Sequence, residues 1–277
     1  MRNNEKRFGQ PSRPEDTSSP ATQASQLSYV VPTEFVELPS KGRFYPEDHP
    51  LHNQETIEIK FMTAKEEDIL SSETLIKKGL VLDRLFKNLI IDQSIDPGSL
   101  LVGDRNAIMI AARVSGYGSG YTVNMSCPLC RSQVEHTFDL RESSINERCF
   151  DEKFLKESKA SFNQETLNFK LVLPVSAVEV ELRLLTGKEE VNLEDNGDNL
   201  ITSTLKAFIV SVNGDANRDV VQQFAENIPA ADSRHIRKVY SRLIPNIDTT
   251  QKFACKACGH SEDMEVPLSA EFFWPGQ

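Results

Sequence analysis

Cys127-Pro128-Leu129-Cys130 and Cys255-Lys256-Ala257-Cys258-Gly259 decide how this 277-residue sequence is to be read. A Cys-X-X-Cys turn presents two thiolates about one tetrahedral edge apart while its backbone amides soften their charge, and two such turns complete the shell of a zinc ion. The second pair is followed by a glycine that lets the chain turn with positive φ. A thioredoxin-like redox motif would need one such pair at a helix N-terminus after a strand, not two on hairpins, and four unrelated cysteines rarely fall into two pairs at this spacing. The expectation is one Zn2+ held by Cys127, Cys130, Cys255 and Cys258. Four cysteines leave no open position for water or substrate, so the site reads as structural. Closing a loop of this length removes on the order of 4 to 5 kcal/mol of denatured-chain entropy. His260, two residues past Cys258, is a weaker candidate ligand and more simply a solvated or outer-sphere histidine. Cys149 has no pair and reads as a small buried side chain.

Working outward, Tyr121 to Ser126 and Gln133 to Phe138 flank the first pair, and Gln251 to Ala254 and Asp263 to Val266 flank the second, which puts each pair at the tip of a β-hairpin. Between the hairpins, Leu167 to Leu173 and Glu179 to Leu184 read as strands, and Asn199 to Val212, Asp219 to Glu226 and Ser233 to Leu243 as helices. Upstream, Ile57, Ile59 and Phe61 alternate with Glu58 and Lys60 in the period of a half-buried strand. Thr63 and Glu66 form a capping box that starts a helix. Val81, Leu82, Leu85, Phe86, Leu89 and Ile90 make the apolar stripe of a second helix, and a third is expected to start at Asp104 as N-cap and end at the glycines 116, 118 and 120. The fold class is therefore α+β: an N-terminal helical region, a split four-cysteine zinc ribbon and an inserted mixed strand/helix lobe. The expected divisions are a disordered arm over 1–30, the helical region with the first half of the ribbon over 31–140, the inserted lobe over 141–248, and the second ribbon half with an aromatic C-terminus over 249–277.

With 39% hydrophobic residues the chain can bury a substantial core. Its formal charge of −10 gives no general attraction to phosphate or anionic lipid, so proteins rather than nucleic acid or membrane are the expected partners. The polar start Met1 to Gln10 is unlike a signal sequence and no stretch is apolar enough for a span. That places the chain in a cytosol, where thiols serve as ligands.

Other motifs carry less. Gly116-Tyr117-Gly118-Ser119-Gly120 follows a helix and precedes a strand, the reverse of a dinucleotide-binding turn. The acidic pairs Glu66-Glu67 and Glu189-Glu190 read as solvated charges rather than acid/base catalysts, and no catalytic constellation is found. Arg234, Arg237, Lys238 and Arg242 share a helix face, read as solvated and ion-paired with this acidic protein rather than docked on nucleic acid, with a protein contact equally open. Phe272-Phe273-Trp274-Pro275 reads as an anchor into the chain's own core or into a neighbour.

Three stretches, Leu38-Pro39-Ser40-Lys41-Gly42 through Tyr45-Pro46, Met62-Thr63-Ala64-Lys65-Glu66-Glu67-Asp68-Ile69-Leu70 and Leu101-Val102-Gly103-Asp104-Arg105-Asn106-Ala107-Ile108, resemble the baseplate hub proteins of T-even-like contractile-tailed phages. The two knuckles and the closing aromatics fit the same pattern, from about residue 30 to the end. The resemblance implies a non-enzymatic structural subunit or assembly factor of the tail baseplate. Its partners would be other baseplate and tail proteins in a multi-copy symmetric assembly, built in the host cytoplasm and retained in the virion tail. It makes the Lys-Gly and Thr-Ala-Lys-Glu-Glu segments candidate interface residues, although a turn and a helix start needed by the fold explain them equally. The rival reading is a zinc-ribbon adaptor of a nucleic-acid-processing complex, which the acidic charge opposes.

Overall fold

Two short strands, β1 (Thr33–Glu37) and β2 (Thr56–Lys60), pair antiparallel with Val36 opposite Ile57. The period-two pattern sends Ile57 and Ile59 inward. This is a computed structural model that describes residues 31–195, 201–267 and 270–273. The expected arm over 1–30, together with Trp274 and Pro275, lies outside them. Three short helices follow: α1 (Ala64–Leu70), α2 (Glu73–Lys77) and α3 (Val81–Leu89). Thr63 caps α1 as its spacing from Glu66 predicts, and α3 buries Leu85, Phe86 and Leu89.

The central element is α4 (Val102–Tyr117), ended by Gly118 at φ +84°. Its start corrects the sequence reading. Leu101 is the N-cap, and Asp104 lies in the first turn, fully buried. Gly103 is required where α4 crosses the late chain, because a Cβ there would overlap the Pro245 carbonyl and come within 2.9 Å of Asn246 Cα.

After α4 come β3 (Gly120–Ser126) and β4 (Gln133–Asp139), paired from Gly120–Asp139 to Ser126–Gln133. Then follow β5 (Ser144–Asn146) and α5 (Glu152–Glu157). A four-stranded antiparallel sheet begins with β6 (Ala160–Asn163), β7 (Asn168–Val172) and β8 (Glu179–Leu182). After α6 (Gly187–Asp195) and α7 (Ile201–Phe208), β9 (Ile209–Val212) completes the sheet in the order β6-β7-β8-β9. The helix expected over Asn199 to Val212 is thus cut short. Residues 199 and 200 lie outside the described set, and Ile209-Val210-Ser211-Val212, rich in β-branched side chains, pairs with β8 instead.

Two helices, α8 (Arg218–Asn227) and α9 (Ala230–Leu243), follow. Next, β10 (Asn246–Asp248) returns to pair with β5, Ile247 opposite Ile145. The chain closes with β11 (Thr250–Ala254) and β12 (Ser261–Glu265), paired from Thr250–Glu265 to Ala254–Ser261. The observed class is α+β, with one main apolar core and a small second cluster around Cys127, Phe253 and Cys255.

Candidate metal centre

The two knuckles have the same backbone. The Cys127 amide donates to Ser132 O at 2.9 Å and the Arg131 amide to Cys127 O at 2.8 Å; Cys255 donates to His260 O at 2.8 Å and Gly259 to Cys255 O at 2.9 Å. Both turns need a left-handed residue after the second cysteine. Gly259 takes it at φ +75°, and Arg131 takes it at φ +60°, where a Cβ costs of order 1 kcal/mol.

The hairpins bring all four sulfurs together, every pair within 4.8 Å. Cys127 Sγ lies 3.8 Å from Cys258 Sγ, and Cys130 Sγ lies 3.8 Å from Cys255 Sγ. Zinc–sulfur bonds of about 2.3 Å in a tetrahedron give an edge of about 3.8 Å, so the donor set fits one zinc ion. All five cysteines are free thiols. Cys127 and Cys255 are buried on the small apolar cluster with Phe253, against which Met125, Val134 and Met264 pack, whereas Cys130 and Cys258 face solvent. Gln251 bridges the hairpins, accepting from the Asp139 amide at 3.1 Å and donating to Asp139 O at 2.7 Å.

The electrostatics of the quartet are those of crowded thiols. Hydrogen bonds from the Ser132 hydroxyl and amide draw the Cys130 thiol down to about 6. At Cys258 the His260 backbone favours ionisation, but local desolvation and hydrogen bonding with the neighbouring thiols oppose it and push the group up to about 12. Four sulfurs this close cannot all be anionic unless a cation lies among them.

The remaining candidates fall elsewhere. His260 is outside the quartet, its Nε2 3.4 Å from Glu262. Cys149 is buried, and desolvation pushes its thiol up to about 12. Glu66 corrects the solvated reading: it is fully buried and accepts from the Thr63 amide at 2.9 Å, the Thr63 hydroxyl at 2.6 Å and Lys60 Nζ at 2.9 Å. Burial opposes its charge, yet those donors hold the carboxyl below its ordinary value. Glu189 bonds Arg183 and the Thr186 amide, the latter at 3.0 Å, at the start of α6. Arg234, Arg237, Lys238 and Arg242 are exposed on α9 as expected, but none joins an ion pair among the described residues.

A second constellation was not foreseen as such. Asp104 accepts from the Ser40 amide at 3.0 Å, the Ser40 hydroxyl at 2.6 Å and the Tyr45 hydroxyl at 2.7 Å, and Tyr45 Oη accepts in turn from the Leu101 amide at 3.0 Å. Burial raises the Asp104 carboxyl above its usual range and lifts the Tyr45 phenol well above its own. Beside it, Gly42 at φ +69° leaves no room for a Cβ, which would meet the backbone of Leu51 and Gln54, and Lys41 pairs with Glu147 at 2.6 Å. The Lys-Gly and Thr63–Glu66 segments are therefore engaged within the fold. Phe272 and Phe273 are buried, and Arg113, itself fully buried, donates from Nε to Phe272 O at 2.7 Å and from its other nitrogens to the carbonyls of Gly118 and Gly120.

These features define an α+β protein whose distant segments are tied through one thiol quartet and two buried polar clamps. Among its described residues no helix is long and apolar enough to cross a membrane. A family model described as T4 bacteriophage base plate protein matches residues 31–274, and the chain belongs to that family. Its place is the virion tail, among other phage tail proteins. No curated protein and no solved structure matches it significantly.

Proposed function

We propose that the chain is a non-enzymatic subunit or assembly factor of the hub region of the baseplate, built in the host cytoplasm into a multi-copy symmetric assembly and stabilised by one structural zinc. The observation that carries this is the family match running from the first strand to the C-terminal aromatics. The 3.8 Å sulfur separations support the metal. Cys127, Cys130, Cys255 and Cys258 would hold it, and its charge would let all four thiols ionise and lock one hairpin to the other. No thiol is left for other work in such a shell.

Native mass spectrometry of the purified chain tests the metal: one zinc and four thiols protected from alkylation until chelation are expected, and free or disulfide-linked thiols would refute it. Tails isolated from infected cells test the location. Tails that form normally without this chain, and never contain it, would overturn the baseplate reading.

A further inference from the structure

Helix α9 is divided between two chemistries. Ile236, Val239, Tyr240 and Leu243 are buried, while Arg234, Arg237, Lys238 and Arg242 are exposed. At about 100° and 1.5 Å per residue, the four cations occupy an arc of about 140° along about 12 Å, centred opposite the buried side chains.

This stripe gathers four exposed cations on one helix face of a chain of negative net charge. The chain carries a formal −10, and some cations elsewhere pair with its acids: Lys41 lies on Glu147, Lys60 on Glu66, Arg105 on Asp83 and Lys170 on Glu179. The four on α9 form no ion pair with any described residue. The acid of their own helix, Asp232, is buried and turned to the amides of Val175 and Ser176, both at 2.9 Å. Arg234 with Lys238, and Lys238 with Arg242, are also like charges four residues apart, an arrangement that destabilises a free helix. A groove of about 200 Å³ adjoins the stripe, lined by the apolar side chains of Phe154 and Val239 and by Glu157, Ser158, His235, Lys238 and Arg242.

We propose that this face of α9 is the docking surface for an acidic, amphipathic segment of a partner protein, with carboxylates on the four cations and an apolar side chain in the groove between α9 and α5. Charge complementarity selects the occupant. A nucleic acid fits less well, because a stripe of about 12 Å reaches only a few phosphates and the rest of the chain repels a long polyanion.

The test uses the purified full-length chain and fluorescence anisotropy. The probes are a labelled peptide of about twelve residues alternating Glu with Leu and Phe, its Gln-for-Glu counterpart, and a single-stranded oligothymidylate of about the same length. The acidic peptide should bind and weaken about tenfold between about 50 and about 300 mM salt. It should weaken at least about tenfold in Arg234→Gln/Arg237→Gln/Lys238→Gln/Arg242→Gln, whose melting temperature should be no lower than that of the parent. Arg234→Gln/Arg237→Gln and Lys238→Gln/Arg242→Gln, each less perturbing to folding, should lose part of the affinity separately. Failure of the acidic peptide to bind, undiminished binding by the variants, equal binding of the Gln peptide, or preference for the oligothymidylate would each overturn the proposal. Because the purified chain alone is titrated, the result does not depend on whether the chain is built into tails.

Discussion

If the quartet holds the proposed zinc, replacing Cys255 and Cys258 with serine, or chelating that ion, should separate two effects that the structure keeps apart. Globally, the staple spans a sequence separation of 125 between Cys130 and Cys255. In the chain-entropy model, releasing a loop of that length costs roughly 5 kcal/mol of stability, besides the metal–sulfur bonds. Locally, much less should move. The base of the β11–β12 hairpin stays pinned, because the Val266 amide donates to Thr249 O at 3.4 Å, the Tyr121 hydroxyl to Pro267 O at 3.1 Å, and Arg113 to Phe272 O. What remains at the tip is the burial of Phe253, about 2 to 3 kcal/mol, and the paired hydrogen bonds of Gln251, about 1 kcal/mol each. Hydrogen exchange read by mass spectrometry should therefore show protection lost first at the knuckle amides of Cys127, Arg131, Cys255 and Gly259, then across 250–265, while 102–117 in α4 stays protected. Urea unfolding supplies the global figure. If verified metal loss left the knuckle amides protected, or if α4 opened together with the hairpin, the reasoning that separates tip from base would fail.

Three further outcomes are expected. Gly103→Ala places a methyl group against the Pro245 carbonyl, a backbone contact that no rotamer change relieves, and should cost about 3 kcal/mol by urea midpoint. Tyr45→Phe removes a donor to Asp104 and leaves the buried Leu101 amide without its acceptor, so a loss of about 2 kcal/mol is expected, and a double-mutant cycle with Asp104→Ala should be strongly non-additive. Above pH 9 stability should fall. The Cys149 thiol, pushed to about 12 in the fold against an ordinary 9.0, stays protonated while the unfolded chain releases its proton, which removes about 1.4 kcal/mol per pH unit between those values. Tyr45 and Tyr240, also raised, add the same sign at higher pH, and Cys149→Ala should flatten the first part of the slope.

What could be read from sequence, and what could not, divides by distance along the chain. The knuckles, the Thr63–Glu66 cap, the β2 alternation and the α3 stripe are local signals, each set by residues a few positions apart, and each is found where its spacing puts it. Asp104 shows the opposite case. An Asp ahead of an apolar run carries the ordinary mark of an N-cap, but its partners are Ser40 and Tyr45, some sixty residues upstream, and nothing in the local pattern names them. Glu66 is legible in its bond to the Thr63 amide, which is the capping box, but not in its full burial beside Lys60. The pairing of β5 with β10, three residues each, has no periodicity long enough to detect. Arg113 carries no local mark of its role, because its acceptor at Phe272 O is 159 positions away.

Those long-range ties share a geometry that bears on assembly. Through α4, Asp104 holds the loop at Ser40, Gly103 admits the chain at Pro245, and Arg113 holds the end at Phe272; the thiol quartet then fixes Cys127 and Cys130 to the hairpin tip beyond Ala254. The late chain is thus gripped at both ends of the β11–β12 hairpin by elements that form early in the sequence. Each grip requires closure of a long loop before any contact repays it, so the C-terminal hairpin should dock late in folding. A metal arriving at that stage would stabilise the docked hairpin without having to build it, because the Gln251–Asp139 bridge and the Phe253 cluster already bring the knuckles to within a tetrahedral edge of each other.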